Sequence, residues 1–235
     1  MGQIMSCSRH TVSNLEAGRF KLTDAQAAAI DSRFELNRHF QRLLKYAREG
    51  HDPNWFREHL TYEAKAKQHK IYELSLIPGL LQTEAYMRYQ FTEAGVRDID
   101  GQVAARLARQ KILTKQSPPL LWVLLDEGAI DRPMGGPEVM REQLAWLLEL
   151  SALHHMSVRV VPRSAGWHHG LEGAFKVMTV GVSDVVYTEA NGGGRLVLGA
   201  AEVEAFAIRY DKIGVKALPE DSSRGLIKEA MEAMR

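Results

Sequence analysis

The stretch 173–189, "GAFKVMTVGVSDVVYTE", decides the fold class of this 235-residue chain. Its two runs, "GAFKVMTV" and "SDVVYTE", are typical of strands and predict a hairpin. Upstream, "MSVRVVP" (156–162) predicts another strand, and the apolar run "PLLWVLLDE" (119–127) predicts a buried one. A helical pattern in "GGPEVMREQLAWLLELSAL" (135–153) separates these two strands. Strands separated by a helix and followed by a hairpin predict a mixed α+β fold, a small sheet flanked by helices.

Helical periodicity dominates the segments that flank the predicted sheet. Downstream, "AAEVEAFAIRYDKI" (200–213) and "SSRGLIKEAMEAM" (222–234) predict two closing helices. Upstream, "NWFREHLTYEAKAKQHKIYEL" (54–74) predicts one long amphipathic helix or two in succession. Gly50 to Pro53 interrupts the helical pattern, and we place a domain boundary there. The expected organisation is an all-helical part at 1–50 and a larger domain at 51–235.

Composition excludes several classes of protein. Lys and Arg total 30 against 29 Asp and Glu, so the chain as a whole is not a polycation. Cys7 is the single cysteine, which excludes an intrachain disulfide and a cysteine-based metal site. Adjacent histidines, as in His168–His169, point apart, and "NGGGR" (191–195) lacks the Lys-Ser/Thr of a phosphate loop. We therefore expect a cytoplasmic protein with no metal, no cofactor and no membrane contact.

The N-terminal stretch "SRHTVSNLEAGR" (8–19) has the properties of a helix that contacts DNA. Ser8 is a preferred N-cap, Val12 and Leu15 can fix the helix to its scaffold, and Gly18 lies where a helix stops. The side chains expected to face away from that seam or to follow the helix can contact bases or phosphates. The predicted DNA-binding residues are Ser8, Arg9, His10, Ser13, Asn14, Arg19 and Lys21. Periodicity alone fits an ordinary surface helix equally well.

The pattern "S-R-x-T-V-S-x-L-E-A-G-R" resembles the recognition-helix half of the repressor-like (Xre/Cro type) helix-turn-helix family. The resemblance implies base contacts by Arg9, His10 and Asn14, and structural roles for Glu16 and Gly18. In that family a first helix and most of a second, roughly twenty residues, precede the turn. Only "MGQIM" stands for the second helix here, so we expect a truncated or lost upstream part and weak DNA binding without it.

A second resemblance covers the chain from about Glu63 to its end. Its motifs resemble the C-terminal domain of antitoxin-like actinobacterial regulators of WhiJ type. That resemblance implies an Xre helix-turn-helix followed by this domain, often with a small partner protein encoded nearby, and it implies no reaction. The motifs are "IYELSLIPGLLQTEAYMR" (71–88), "ARLARQKIL" (105–113), "LLDEGAIDRPMGG" (124–136), "VMREQLAWLLEL" (139–150), "VRVVPRSAGWHHGLEGAF" (158–175) and "VVYTE" (185–189).

Two places in the larger domain are candidates for partner or ligand binding. Pro78-Gly79, followed by Gln82, Thr83 and Tyr86, puts polar groups at a helix N-terminus, which suits an anion or a partner's carboxylate. A plain turn and helix start is the alternative.

The second place consists of Glu127 and Glu189, each of which follows an apolar strand. If those strands are neighbours, the two carboxylates could share a cleft with Arg132 and His169 and do acid–base work or hold a metal. Strand-end acids that face solvent or pair with arginine are the alternative.

These observations favour a DNA-binding transcriptional regulator, not an enzyme, whose C-terminal domain binds a small protein partner or a ligand. Operator symmetry goes with dimers, so we expect a homodimer. Two alternatives remain. In the first, the C-terminal domain is an enzyme that uses Glu127 and Glu189. In the second, the chain is a stand-alone protein-binding module with a vestigial DNA-contacting segment.

Overall fold

The structure is a computed structural model that describes residues 1–44, 55–189 and 194–234. The chain divides into two compact units, Met1–Trp55 and Phe56–Arg235. The sequence break at Gly50 to Pro53 lies outside the described residues, so the predicted boundary between 1–50 and 51–235 stays a prediction.

The first unit contains helices α1 (Arg9–Glu16) and α2 (Asp24–Phe34), and residues 39–44 are also helical. Ser8 caps α1 as predicted, because its hydroxyl accepts the backbone N–H of Thr11 at 3.1 Å. The turn after α1 places Gly18 at φ +70°, the left-handed conformation that glycine adopts without steric cost.

The second unit contains one six-stranded sheet, with strand order β3-β2-β1-β4-β5-β6. Strands β1, β2 and β3 are parallel, whereas β4 is antiparallel to β1 and forms a hairpin with β5. The predicted hairpin and the mixed α+β fold class are therefore confirmed. The strands are β1 (Gln68–Glu73), β2 (Leu120–Asp126), β3 (Met156–Val161), β4 (Phe175–Val180), β5 (Ser183–Thr188) and β6 (Arg195–Val197).

The helical prediction for 54–74 is wrong in its second half. Helix α3 (Trp55–Lys65) ends at Lys65. The chain then enters β1, which lies inside the sheet between β2 and β4. Successive side chains Ile71 and Tyr72 are both buried, on opposite faces of the strand. Pairing on both edges and burial on both faces outweigh the local helical pattern, because strand formation depends mainly on tertiary context.

Helices cover both faces of the sheet. One apolar cluster joins Ile71 to Leu144 and Ile227, and a second joins Tyr72 to Tyr210 and other residues. Among the described residues, no helix is long and apolar enough to span a membrane. The remaining helices are α4 (Glu84–Glu93), α5 (Ile99–Gln110), α6 (Gly128–Asp131), α7 (Pro137–Leu150), α8 (Ala200–Gly214) and α9 (Glu220–Ala233).

Candidate ligand cavity

A small cavity with an unusually charged lining lies in the second unit, and we call it the charged cavity. Its volume is about 80 Å³. The walls come from three helices, α3, α4 and α5, from the end of β1 and the segment that follows it, and from β4, β5 and Glu189 after β5. The lining residues are Phe56, His59, Glu73, Leu76, Ile77, Gly79, Gln82, Gln90, Arg106, Arg109, Lys176, Tyr187 and Glu189.

Strand register brings the sheet residues of the cavity to one face. Ile71 lies opposite Lys176, and Lys176 lies opposite Tyr187, so these three side chains share a face. Glu73 is two residues after Ile71 and therefore projects from the same face. His59 on α3 stacks on Tyr187 with ring centroids 4.1 Å apart, which places α3 over this part of the sheet.

Glu63, on α3, connects the helices to the sheet beside the cavity. Its carboxylate accepts hydrogen bonds from Arg109 Nε at 2.7 Å and Nη2 at 3.0 Å, and from Lys176 Nζ at 2.8 Å. The side chain is only 3% exposed. Burial alone would raise the pKa of Glu63, but the charge of Lys176 and the hydrogen bonds from His59 and Arg109 hold it well below its ordinary range. Glu63 is therefore ionised and neutralises part of the charge of these two cations.

Arg106, on α5, differs from Arg109 because neutral groups hold it. Its Nη1 donates to Gln82 Oε1 and, at 2.9 Å, to Gln90 Oε1, and its guanidinium lies 4.4 Å from the centroid of the Phe91 ring. Within the described ranges it forms no ion pair with a carboxylate. Burial lowers the pKa of Arg106 to about 10, so it remains charged at neutral pH. The result is a positioned, half-buried cation that forms no direct ion pair with any carboxylate of the described residues.

Two carboxyl groups line the same cavity. Glu73 ends β1, and Glu189 follows β5, which runs in the same direction as β1. Burial, and next the charge of Glu189, raise the pKa of Glu73 to about 8. Glu189 is exposed, so it lies at the mouth of the cavity, and Glu73 is half-buried. The cavity therefore offers an acidic wall as well as a cation.

Two buried histidines near the cavity are neutral at pH 7. Burial lowers the pKa of His59 to about 4 and that of His69 to about 3. His59 Nδ1 and both ring nitrogens of His69 are buried without a hydrogen-bond partner among the described residues. The described part of the chain contains no group of three or more metal-ligating side chains.

Residues 56–229, which include the whole charged cavity, match a family model described as a domain of unknown function, DUF5753. The chain belongs to the DUF5753 family. Neither the curated proteins nor the solved structures contain a match to it.

The DUF5753 domain brings three of the sequence-predicted partner residues into the charged cavity: Gly79, Gln82 and Glu189. Gln82 contributes by orienting Arg106, with its own Nε2 donating to the carbonyl of Ile77 at 2.7 Å. Gln110 Nε2 donates to the backbone carbonyls of both Gly79 and Gln82 and fixes this turn on α5.

At the predicted anion site at the N-terminus of α4, the structure shows polar groups that are already bonded within the protein. The N–H of Thr83 donates to Gln143 Oε1 at 2.8 Å, and the N–H of Tyr86 donates to Thr83 Oγ1 at 3.3 Å. Tyr86 is fully buried, and its hydroxyl accepts from the N–H of Ile77. Pro78 is also buried. These groups stabilise the turn internally, so Tyr86 cannot contact a partner.

The predicted cleft of Glu127, Arg132, His169 and Glu189 also does not form. Strands β2 and β5, which precede the two glutamates, are separated by β1 and β4. Glu127 instead accepts the N–H of Arg163 at 2.7 Å, and Arg132 is exposed. The premise of neighbouring strands is therefore wrong.

At the C-terminal end of β2, the structural contact is made by His168, the residue before the predicted His169. His168 Nε2 lies 3.2 Å from Asp126 Oδ2, and its Nδ1 accepts the N–H of Gly170. Because Nδ1 accepts, Nε2 carries the proton and donates to the carboxylate. His169, the predicted residue, is half-buried and contacts the ring of Trp167.

In the first unit, α1 exposes part of the predicted DNA-binding set. Ser8, Arg9, His10, Ser13, Arg19 and Lys21 are exposed. The prediction that Asn14 faces away from the helix seam is wrong, since it is only 6% exposed. Its Oδ1 accepts from Arg19 Nη1 at 3.1 Å, and its backbone carbonyl accepts the N–H of Arg19 at 2.8 Å. Asn14 and Arg19 thus close the C-terminal turn of α1 together.

The residues that sequence reasoning missed are those that hold the cavity together: Glu63, Glu73, Arg106, Arg109 and Lys176. The sequence contained a signal for one pair of these residues, Arg106 and Arg109. Arg106 and Arg109 are three residues apart on a predicted helix and therefore lie on one face, but the sequence offered no partner for them.

Proposed function

We propose that this protein is a DNA-binding transcriptional regulator in which α1 contacts DNA and the DUF5753 domain binds a small ligand in the charged cavity. The observation that carries the ligand-binding part is Arg106, a half-buried cation aligned by two glutamine side chains and lacking a carboxylate partner in the described structure. Perturbed titratable groups that converge on one pocket are characteristic of binding sites.

Support for DNA binding comes from the chemistry of the exposed face of α1. An arginine can donate two hydrogen bonds to guanine, and histidine and serine side chains also bond to base edges. Arg9, His10 and Ser13 are exposed on this helix, and Ser8 caps it. The likeness of this segment to the Xre recognition helix, and of the larger domain to the WhiJ-type regulators, agrees with this proposal.

Regulation would follow from linkage between the two activities. A ligand changes operator affinity only if it binds more tightly to one of two states of the protein. Helix α3 opens the DUF5753 domain and carries both His59 and Glu63. We propose that ligand binding shifts the position or stability of α3, the first element that follows the DNA-contacting unit along the chain.

We also propose that the domain binds a small protein encoded nearby and that the protein is a homodimer. One observation favours a protein-binding surface. Trp146 and Leu107 are 38% and 37% exposed and line a shallow groove that also includes Thr83. Exposed tryptophans are common anchors of protein interfaces. Glu142 and Glu149 line the same groove, so a partner segment with basic side chains would complement it.

Replacing Arg9 by alanine is expected to weaken sequence-specific DNA binding by about 1–3 kcal/mol, because a bidentate contact to a base edge is lost. The operator is first selected from random DNA with the full-length gene product. Fluorescence anisotropy then compares wild type and variant on the selected site and on an unrelated duplex.

The matched control is Arg33→Ala, which removes the same charge from the last turn of α2. It is expected to leave the ratio of specific to non-specific affinity unchanged. If Arg9→Ala and Arg33→Ala reduce specific binding equally, Arg9 contributes only charge, and the proposed role of α1 is wrong.

A further inference from the structure

A cation, Arg106, and a carboxyl group, Glu73, face the charged cavity without forming an ion pair with each other. Arg106 and Glu73 are close enough that each affects the pKa of the other, yet they form no ion pair, although both lie in the described part of the chain. Arg109 and Lys176, in contrast, are already paired with Glu63. The cavity separates one available cation from two available carboxyl groups, Glu73 and Glu189.

The positions of these groups are fixed by the fold. Gln82 and Gln90 accept from Arg106, while Gln82 itself is 2% exposed and bonded to the Ile77 carbonyl. Glu73 is anchored by the backbone pairing of β1 with β2 and β4. A guanidinium and a carboxyl group that are already held in place bind a complementary ligand with little ordering cost.

The size of the cavity limits the ligand. Pockets for drug-sized ligands measure roughly 300–1,000 Å³, whereas this one is about 80 Å³. The polar lining excludes a purely apolar occupant, since buried polar groups need hydrogen-bond partners. His59, 2% exposed with an unpartnered Nδ1 among the described residues, adds a further polar group to the wall.

We propose that the charged cavity binds a small zwitterion of the amino-acid type, with the ligand carboxylate on Arg106 and its ammonium group on Glu73 and Glu189. A guanidinium binds a carboxylate through two parallel hydrogen bonds, and a pair of carboxylates binds an ammonium group. This inference rests on the proposed ligand-binding role of the cavity and names the class of effector.

The test is isothermal titration calorimetry of the full-length protein at neutral pH with each protein amino acid in turn. Acetate serves as the anion-only probe and methylamine as the cation-only probe. At least one small amino acid is expected to bind about tenfold or more tightly than either probe, which corresponds to roughly 1.4 kcal/mol.

Variants of Arg106 and Glu73 give the second arm of the test. Arg106→Gln and Glu73→Gln are each expected to weaken that binding about tenfold or more. Arg106→Lys, which keeps the charge but loses the bidentate geometry, is expected to lie between Arg106→Gln and wild type. Arg97→Gln, at an exposed arginine between α4 and α5, is the matched control and is expected to bind like wild type. Without a ligand, Glu73 is mostly protonated at neutral pH because its pKa is raised to about 8, so the neutral and isosteric Glu73→Gln is expected to keep the fold. The variant removes the carboxylate that forms when an ammonium group binds.

Three outcomes would overturn the inference. They are an absence of binding at concentrations on the order of 10 mM, acetate or methylamine binding as tightly as the best amino acid, or binding that Arg106→Gln leaves unchanged. Operator affinity is measured separately. If operator binding is specific but amino acids do not bind, only this inference fails. If amino acids bind without any specific operator, the regulator proposal fails.

Discussion

Glu63→Gln is expected to lower the free energy of unfolding of the DUF5753 domain by about 3 kcal/mol at pH 7. Removing one partner of a buried ion pair costs roughly 3–5 kcal/mol because the remaining charge is left uncompensated. In this domain two charges would be left, on Arg109 and Lys176. Their side chains are 21% and 12% exposed, so water reduces the loss to the lower end of that range. Urea unfolding followed by tryptophan fluorescence measures the change.

Glu58→Gln is the matched control, because Glu58 lies on the exposed side of the same helix. It is expected to change stability by less than about 0.5 kcal/mol. The pH profile is a second check. The pKa of Glu63 is lowered in the folded state, so its stabilising contribution is complete above about pH 5 and is lost progressively as the pH falls below 4.5 toward the lowered folded-state pKa. The difference between wild type and Glu63→Gln is therefore expected to shrink in acid, and a pH-independent difference would contradict this account.

Gly170→Ala is expected to destabilise the domain by about 2–3 kcal/mol, with a lower melting temperature. A Cβ at this position would overlap the hydroxyl end of the Tyr72 ring. Tyr72 is fully buried on a strand that is paired on both sides, so its ring cannot move away. The N–H of Gly170 also donates to His168, which is itself bonded to Asp126, so a shift of the loop would disturb both contacts.

Gly225→Ala is expected to have the opposite effect on the stability of the same domain. Gly225 lies inside α9, and a Cβ there meets no atom within 4 Å. Alanine is therefore expected to stabilise the helix by about 0.5–1 kcal/mol. Differential scanning calorimetry measures the melting temperatures of the two variants and distinguishes the two opposite effects. Equal stability of Gly170→Ala and wild type would show that the packing of the 163–173 loop on Tyr72 is not as described.

The fold was largely predictable because most of its elements carry a local signal. The hairpin of β4 and β5, the apolar β2 and the capped helices all follow from strand patterns, helix caps and glycine positions. Strand β1 carried no such signal, because "QHKIYE" fits a helical pattern and becomes a strand only through pairing with β2 and β4. Those partners are about 50 and 110 residues away, beyond the reach of local propensity.

The charged cavity was much less predictable. The sequence pointed to Gly79, Gln82 and Glu189, but it also pointed to Tyr86, which is buried, and to Glu127, which bonds to Arg163. Which charges meet depends on sheet order and helix placement, and neither is encoded in spacing along the chain. In α1, the direction of Asn14 depended on the turn that follows, where the Asn14 side chain bonds to Arg19.

We propose that Arg106 is the ligand-binding group of the DUF5753 domain, and its side-chain NMR signal tests this proposal most directly. The Nε–H resonance of Arg106 is assigned as the one that Arg106→Gln removes from the nitrogen–proton correlation spectrum. This resonance is expected to shift on titration with small amino acids and to follow a saturable curve. A resonance that stays fixed while amino acids, acetate and inorganic phosphate are added would contradict it.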